Sequence, residues 1–598
     1  MCGIAGIYSY SQPVVFEKIK TMTDVLTHRG PDGEGQWLSP NKKVGFGHRR
    51  LSIIDLSENG KQPMHYLERY SITFNGEIYN YLELKEKLLK KGYQFHSKTD
   101  TEVLLALYDS KKELCLDDID GMFAFAIWDE KEQTLFCARD RFGEKPFFYH
   151  NTKENFVFAS EIKALIKVGI SKEINNTRLI NYLVNDAIED IYDNSTTFYK
   201  EIISLEAGHY IKIDSKGLTI KKYYHLSLKE TNKCTPKEAD EEFKRLFKES
   251  VKLRTISSDV AVGTSLSGGI DSSIIFHEIN QIRTNVQTFT ASFPGFSKDE
   301  TELVKLLHSN YKATAHFAYP DAESYSRDLD ALFYHQDEPV INANIHAQWC
   351  VYKLAKENGV TVLLDGQGAD EIFAGYHYYF KPYLQQLMLK SKSQYKKEID
   401  LYTSSPFFNK DKYFYIEAFA PKLFHHYKTA RNYFSSPPAD INAEYYTAFK
   451  QDLFPPKFLK PVLNEYLNYN LFYSGFEHLL RYGDRSSMAF SREVRLPFLS
   501  HKLVEFAYSL PFNLKVHNGY AKYIERSSYN SELPKEIIWK RDKIGYEAPQ
   551  GTWIEHKALK EKTHHSIQTL IEKKILSANN YDRAKWWRYI QIAKLLEQ

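Results

Sequence analysis

The chain has 598 residues, of which 43% are hydrophobic and 26% charged, and 79 basic against 76 acidic residues leave a formal net charge of +3. This length favours more than one domain, and the even charge balance gives no electrostatic reason to expect nucleic acid or an anionic membrane as a partner. No apolar run approaches the roughly 18 residues that span a bilayer. Five separated cysteines without a CxxC pair favour reduced cytoplasmic thiols over a disulfide framework or a zinc site.

The N-terminal third alternates short apolar runs with turn signals, as in GIAGIYSY, YSITFNGEIYN and MFAFAIWD. Two helical stretches interrupt them, YLELKEKLLKKG and TDTEVLLALYDS. The first helix gains an apolar face from Leu82, Leu84, Leu88 and Leu89. The stretch EAGHYIKIDSKGLTIKKYYHL predicts a hairpin that closes the domain. We therefore predict an α+β domain of packed antiparallel sheets with helices on the outside.

After that hairpin the hydrophobic period changes to 3.6, which predicts a helix with Pro236 in its first turn. Its apolar face holds Phe243, Leu246, Phe247 and Val251. The runs DVAVGTSLSGG and VTVLLDGQGADE each join a buried strand to a helix, which predicts a parallel α/β sheet. The rest is largely helical by pattern, and KSKSQYKKEIDLYTSSP predicts a surface loop or a solvated helix end. The predicted organisation is a first domain at 1–210, a linker at 211–235 and a second domain at 236–598.

The stretch SLSGGIDSS contains the features of a phosphate-binding loop. Gly268 and Gly269 let successive backbone N–H groups converge on an anion, and the following helix N-terminus adds positive potential. Hydroxyl donors come from Ser267, Ser272 and Ser273. Asp271 suits a phosphate only if Mg²⁺ bridges the two. The loop lacks GxxxxGK[ST] and resembles the pyrophosphate loop of N-type ATP pyrophosphatases, and the alternative is a serine-rich turn that caps a helix.

A second turn of the same kind occurs in LLDGQGADEIFAGY, where Asp370 and Glu371 open a helix after a buried strand. In an open parallel sheet, turns at the carboxyl ends of strands line one crevice. We therefore expect Asp271 and Asp370 to share Mg²⁺ beside the nucleotide. The alternative is a pair of ordinary aspartate helix caps.

The ordered set of motifs resembles the glutamine-hydrolysing asparagine synthetases over nearly the whole chain. The set includes MCGIAG, THRGPDG, FNGEIYN, SKTDTE, RDRFGEKPFFY, SLSGGIDSS, LLDGQGADEIFAGY, DRSSMAFSREVRLPFL and GYAKYIER. The resemblance implies an N-terminal-nucleophile glutaminase domain, an ATP pyrophosphatase-like synthetase domain and an ammonia tunnel between them.

For the glutaminase, the resemblance implies that Cys2 is the nucleophile and that its own α-amino group is the base once Met1 is removed. An α-amine has a pKa of about 7.7–8, so it can accept the thiol proton near neutral pH. Asn75 and Gly76 then form the oxyanion hole, through a side-chain amide and a backbone N–H. Read locally, Cys2 is a small strand residue and Asn-Gly is a good turn.

The resemblance also supplies the glutamine-binding residues. Arg50 is expected to hold the α-carboxylate, for which its fork of donors is suited. Glu77 and Asp100 are expected to bind the α-amino group, although Asp100 would also make an ordinary helix cap.

For the synthetase, the resemblance implies a set of ATP contacts. They are Leu266, Ser267, Gly268, Gly269, Asp271, Ser272, Ser273, Ala291, Asp365 and Gly366. Lys522 is expected to stabilise phosphate charge during adenylation, against the alternative of a solvated helical lysine. Asp484 is the candidate partner of Lys522.

Gln367 is a departure from the family pattern, because some members carry a glutamate there that is thought to act as a general base. Glutamine cannot accept a proton. Glu371 or Asp337 is then expected to serve instead, or ammonia attacks without help.

The expected function is glutamine hydrolysis coupled to adenylation of a carboxylate by ATP and Mg²⁺, which releases pyrophosphate before ammonia displaces AMP. Aspartate is the expected acceptor, and a uronic acid of a surface glycan or a secondary metabolite is the alternative. A non-catalytic regulator or an ammonia-independent cyclising synthetase on this fold would lack Cys2. We expect no nucleic-acid or membrane partner, and a homodimer stays open.

Overall fold

The computed structural model describes residues 1–403, 408, 410–541, 547–578, 580–582 and 585–597. The strands of the N-terminal part are β1 (Gly3–Ser9), β2 (Gly33–Leu38), β3 (Val44–Arg50), β4 (Met64–Tyr66), β5 (Tyr70–Ile78), β6 (Gly121–Asp129), β7 (Thr134–Arg139), β8 (Phe148–Asn151), β9 (Asn155–Ala159), β10 (Ile203–Ser204), β11 (His209–Asp214) and β12 (Gly217–Lys222). Its helices are α1 (Phe16–Asp24), α2 (Tyr81–Leu89), α3 (Asp100–Lys111), α4 (Cys115–Asp118), α5 (Ile162–Lys167) and α6 (Asn176–Asn185).

These strands form two antiparallel sheets, in the orders β10-β8-β9-β1-β3-β2 and β12-β11-β7-β6-β5-β4. Their inner faces share one core, in which Ile4 and Phe46 of the first sheet meet Ala126 and Trp128 of the second. Helices α2 and α3 cover the outside of the second sheet, and α1 covers the outside of the first. The predicted stack of antiparallel sheets flanked by helices is confirmed.

Two details of the N-terminal part differ from the prediction. Strand β11 pairs with β7 and β12 with β11, so residues 211–222 belong to the second sheet rather than to a linker. In α2, Leu84 and Leu88 are buried, whereas Leu82 and Leu89 are about half exposed. The predicted apolar face of α2 is therefore wider than the observed one, because only positions four residues apart on this short helix reach the core.

The rest of the chain begins with α7 (Pro236–Ile256), which starts with a capping box between Thr235 and Glu238. The strands that follow are β13 (Val262–Ser265), β14 (Val286–Ala291), β15 (Ala313–Ala318), β16 (Val362–Leu364) and β17 (Glu493–Arg495). The helices are α8 (Ile270–Asn280), α9 (Thr301–His308), α10 (Ala322–Gln336), α11 (Asn344–Glu357), α12 (Ala369–Phe373), α13 (Phe380–Lys390), α14 (Lys392–Thr403), α15 (Phe414–Phe419), α16 (Pro421–Tyr433), α17 (Ala443–Phe449), α18 (Leu463–Phe472), α19 (Phe476–Met488), α20 (His501–Ser509), α21 (Tyr523–Ser528), α22 (Lys535–Ile538), α23 (Gln550–Trp553), α24 (Lys557–Glu572) and α25 (Trp586–Glu597).

The five strands form a parallel sheet in the order β15-β14-β13-β16-β17, as the buried apolar runs predicted. Strands β14 and β15 are added on one side of β13, whereas β16 and β17 are added on its other side. Open α/β sheets bind ligands at such a switch point in the strand order. The turns after these two strands are SLSGG and DGQG. They touch, because a Cβ on Gly366 would lie 2.8 Å from the Cβ of Asp271.

The polar stretch that was predicted as a surface loop or helix end is helix α14, which buries Tyr395, Glu398 and Tyr402. Residues 404–407 at its end lie outside the described residues. Among the described residues, the helices are all too short or too polar to span a lipid bilayer.

Candidate active sites

Cys2 lies immediately before β1 and is buried. Its backbone N–H donates to Asn75 Oδ1 at 2.8 Å, and its carbonyl accepts from Arg29 Nε at 3.0 Å. Burial raises the pKa of the Cys2 thiol, and the nearby N-terminal ammonium and the Arg50 guanidinium oppose that rise. The thiol therefore needs a neighbouring base to become a nucleophile at neutral pH.

Asn75 is fully buried on β5, beside Cys2. Its Nδ2 has no hydrogen-bond partner among the described residues. A buried donor without a partner is uncommon, and an oxyanion hole is a site that keeps such a donor ready. The adjacent Gly76 must be glycine, because a Cβ would lie 2.7 Å from the Cα of Phe123 on β6.

The three predicted glutamine-binding residues lie around this point. Arg50 ends β3, and its Nη1 donates to the carbonyl of Ser57 at 2.9 Å, which orients the guanidinium. Burial raises the pKa of Glu77 well above its ordinary value, as do the neighbouring Glu493 and Asp100 carboxylates. Burial also raises the pKa of Asp100 to about 6, although Asp100 accepts the Ile78 N–H at 2.9 Å. These residues form one cluster near the N-terminus.

The N-terminal ammonium of Met1 lies 2.6 Å from Glu493 Oε2, and both groups are fully buried. Glu493 is on β17 of the parallel sheet, where it also accepts from Arg495 Nε at 2.6 Å. Arg495 Nη2 in turn lies 3.5 Å from Glu77 Oε1. No local sequence pattern indicates this cluster, because its members come together only through the contact between the two parts of the chain.

Helix α19 links the two candidate sites. Arg29 binds Asp484 through two nitrogens at 2.8 and 3.0 Å. One residue earlier, a Cβ on Gly483 would lie 3.2 Å from Gln367 Oε1. Asp484 pairs with Arg29 and Arg485, so its prediction as the partner of Lys522 was wrong.

A cavity of about 450 Å³ opens at the switch point of the parallel sheet. Its lining includes nine of the predicted residues, Ser267, Gly268, Gly269, Asp271, Ser272, Asp365, Gly366, Asp370 and Lys522. Leu266, Ser273 and Ala291 lie outside that lining. The Leu266 N–H donates to the Phe289 carbonyl at 3.0 Å, and the Ser273 hydroxyl donates to the Gly269 carbonyl at 2.7 Å.

Lys522 is buried at this cavity, with its Nζ 2.5 and 2.6 Å from the two carboxylate oxygens of Asp271 and 2.7 Å from Asp370 Oδ1. Burial alone would lower its pKa, but the carboxylates of Asp271 and Asp370 raise the pKa above its ordinary value. Glu525, on the next helical turn, was missed from the sequence. Its burial and the charge of Asp271 raise the pKa of Glu525 well above its ordinary value.

The two aspartates also fit a magnesium ion. Their carboxylates converge on one ammonium, so they lie close enough to reach one cation. Carboxylate oxygens are the protein ligands that Mg²⁺ prefers beside phosphates.

The two carboxylates proposed to replace a glutamate at Gln367 differ in position. Glu371 is buried and accepts from the Tyr376 hydroxyl at 2.6 Å, and Tyr376 lines the cavity. Asp337 lies toward the N-terminal part, where it accepts from the Ile162 N–H at 3.0 Å and pairs with Lys163 at 2.9 Å. Asp337 is thus occupied elsewhere.

Comparison with known proteins agrees with this division. Residues 1–224 match the family of the glutamine amidotransferase domain, and residues 242–597 match the asparagine synthase family. The chain is 32% identical to glutamine-hydrolyzing asparagine synthetase 1 of Bacillus subtilis, over 93% of this chain and 88% of that protein. It is 36% identical to a putative asparagine synthetase of Methanocaldococcus jannaschii over 65% of this chain and 78% of that protein. It is also 26% identical to the amidase chry2 of Gibberella zeae, over 92% of this chain and 90% of that protein.

Proposed function

The chain belongs to the asparagine synthase family of glutamine-dependent amidotransferases with an ATP-dependent domain, and from this we propose that it converts aspartate to asparagine. The main structural support for ATP chemistry is the cavity at the switch point, where Lys522 lies between Asp271 and Asp370. The relatives named asparagine synthetase over most of the chain support aspartate as the acceptor.

We propose that glutamine is hydrolysed at Cys2 after Met1 is removed. The freed α-amine takes the thiol proton, and the thiolate attacks the side-chain carboxamide carbon. The resulting oxyanion is stabilised by Asn75 Nδ2, which is unpaired among the described residues, and by the Gly76 N–H. The ammonium of Cys2 then returns the proton to the leaving nitrogen, ammonia departs, and water hydrolyses the thioester to give glutamate.

Recognition of glutamine follows from the charges around Cys2. Arg50 offers a guanidinium that its carbonyl partners already orient, and this suits the α-carboxylate. Glu77 and Asp100 offer carboxylates for the α-ammonium. Binding an ammonium would lower their raised pKa values, because an opposite charge favours the ionised form.

In the synthetase site, we propose that the glycine turn and Ser267 and Ser272 hold the pyrophosphate portion of ATP. Mg²⁺, held by Asp271 and Asp370, would neutralise phosphate charge. Lys522 then turns its ammonium from the two carboxylates toward the phosphates. The substrate carboxylate attacks the α-phosphorus, pyrophosphate leaves, and ammonia displaces AMP from the acyl carbon.

Ammonia transfer follows α19 in this proposal. The helix contacts the Cys2 region through Asp484 and Arg29, and Gly483 lies against Gln367. A protected route matters because free ammonia is protonated in neutral water and loses its nucleophilicity. Gln367 has no basic group, so the proton released during amide formation goes to a second ammonia, to solvent or to Glu371.

The acceptor is tested with a panel of carboxylates. With ATP, Mg²⁺ and glutamine, aspartate should give asparagine, AMP and pyrophosphate in equal amounts, and uronic acids should give none. AMP and an amide formed only with another carboxylate would sink the aspartate assignment while leaving the amidotransferase chemistry intact. The relative named an amidase is the reason to include larger acids. A cytoplasmic location and a homodimer stay predictions.

A further inference from the structure

Helices α10 and α11 bring together three side chains that neither active site uses. Asp328 is on α10, and His346 and Cys350 are one turn apart on α11. One ligand atom from each of the three lies within 4.8 Å of the others. We propose that these residues form a zinc site.

The spacing of the donor atoms matches a tetrahedral metal site. His346 Nε2 lies 3.2 Å from Asp328 Oδ2, and Cys350 Sγ lies 3.5 Å from the same nitrogen. With zinc bonds of about 2.0–2.3 Å in a tetrahedron, neighbouring nitrogen and oxygen ligands are about 3.3 Å apart and nitrogen and sulfur ligands about 3.6 Å apart. The two distances from His346 Nε2 thus match two edges of such a tetrahedron, and the Asp328 and Cys350 donor atoms lie within 4.8 Å of each other.

The imidazole of His346 is fully buried, and its hydrogen-bond partners, Asp328 and Cys350, both lie at Nε2. If Nε2 carries the ring proton, this N–H donates a hydrogen bond to Asp328, but Nδ1 has no hydrogen-bond partner among the described residues. If Nδ1 carries the proton, the lone pair of Nε2 faces the Asp328 carboxylate and can accept only from the weak S–H donor of Cys350. A cation placed between the three side chains accepts that lone pair.

The surrounding charges permit a divalent cation. Arg327 Nε lies 3.1 Å from the other oxygen of Asp328 and is mostly exposed, and Lys353 is a second cation close to Cys350. Asp321 adds a negative charge close by. The carboxylate and the thiolate together supply the negative charge that offsets a divalent ion.

The donor set selects the kind of ion. A thiolate and an imidazole suit zinc and similar transition metals, whereas Mg²⁺ prefers oxygen ligands alone. Binding displaces the thiol proton of Cys350 to solvent. Three protein ligands leave a fourth position for water.

The position on α11 suggests what the ion does. Asn344 and Gln348, on one face of the helix, line the nucleotide cavity. At 3.6 residues per turn, His346 and Cys350 lie on the opposite face. Zinc would therefore tie α11 to α10 and hold one wall of the cavity in place.

Cobalt binding tests the site with the full chain. The protein is stripped with a chelator and carries Cys2→Ala, so that the nucleophilic thiol cannot contribute. We expect one equivalent of Co²⁺ to give tetrahedral d–d bands and a thiolate-to-cobalt charge-transfer band, both abolished by added Zn²⁺. Cys350→Ser should remove the charge-transfer band, and His346→Gln should weaken binding at least about tenfold.

The control is Cys234→Ser, which removes a partly buried thiol elsewhere and should leave the spectrum unchanged. Asp328→Asn, a conservative change on the other helix, reports on the site if an α11 variant fails to fold. Zinc should also raise the melting temperature of the parent chain but not of Cys350→Ser. Absence of the charge-transfer band at saturating cobalt, or its survival in Cys350→Ser, would overturn the proposal.

Discussion

Replacing Lys522 with methionine removes the ammonium that lies between Asp271 and Asp370 and keeps most of the side-chain volume. In the resting chain the change leaves two carboxylates without this partner. In the reaction it removes the cation that we expect to stabilise phosphate charge. The first effect lowers the stability of the folded chain, and the second lowers the rate of the ATP-dependent reaction.

The stability effect follows from burial. Loss of one partner from a buried ion pair costs about 3–5 kcal/mol, but 19% of Asp271 and 17% of Asp370 remain exposed to water. We therefore expect the free energy of unfolding to fall by about 1–3 kcal/mol. The effect on the reaction is a fall in kcat of about 10²- to 10³-fold, which is the usual cost of removing one charge-stabilising donor.

The assay follows two products from one protein. Pyrophosphate release with ATP, aspartate and an ammonium salt should fall about 10²- to 10³-fold, while glutamate release from glutamine should stay close to that of the parent. Lys502→Met, at an exposed lysine, is the matched control and should change neither. Pyrophosphate release at the parent rate would refute the role of Lys522, and a parallel fall in both products would refute the separation of the sites.

Three further outcomes follow from the same structure. Cys2→Ala should abolish glutamate release and glutamine-dependent synthesis, while synthesis from ammonium salts survives; equal loss of both would argue against two sites. Gly375→Ala would put a methyl group 2.7 Å from the carboxyl carbon of Asp370, so it should impair pyrophosphate release, unlike Gly551→Ala, whose methyl meets no described atom within 4 Å. Asp100 has an ordinary pKa of 3.8 and a folded pKa of about 6, so the folded chain binds its proton more tightly and loses stability as the pH rises through that window. Asp100→Asn should therefore raise the free energy of unfolding by about 3 kcal/mol at pH 7.5 and by little at pH 4, and an equal effect at both pH values in denaturant titrations would contradict this.

The fold and the cavity at the switch point could be predicted from the sequence because their signals are local. Buried strands followed by glycine turns placed Gly268 and Gly366 at the ends of parallel strands, and the strand order brought the turns together. In the N-terminal part, the strand and helix periods of the hydrophobic residues predicted the sheets and α2. They did not predict which leucines of α2 face the core.

The contacts between the two parts of the chain could not be predicted in this way. The pairs Met1–Glu493 and Arg29–Asp484 join residues more than 400 positions apart, and no local pattern indicates them. Lys522 was assigned the wrong partner for the same reason. A charged residue read in isolation does not reveal which carboxylate the tertiary fold brings to it.

Transfer of the amide nitrogen tests the central claim most directly. Glutamine labelled with ¹⁵N in its side-chain amide is supplied with ATP, Mg²⁺ and aspartate, and the products are analysed by mass spectrometry. We expect asparagine with ¹⁵N in its side-chain amide, formed in equal amount with AMP and pyrophosphate. Glutamate and labelled ammonia without a labelled amide on any carboxylate in the panel would contradict it.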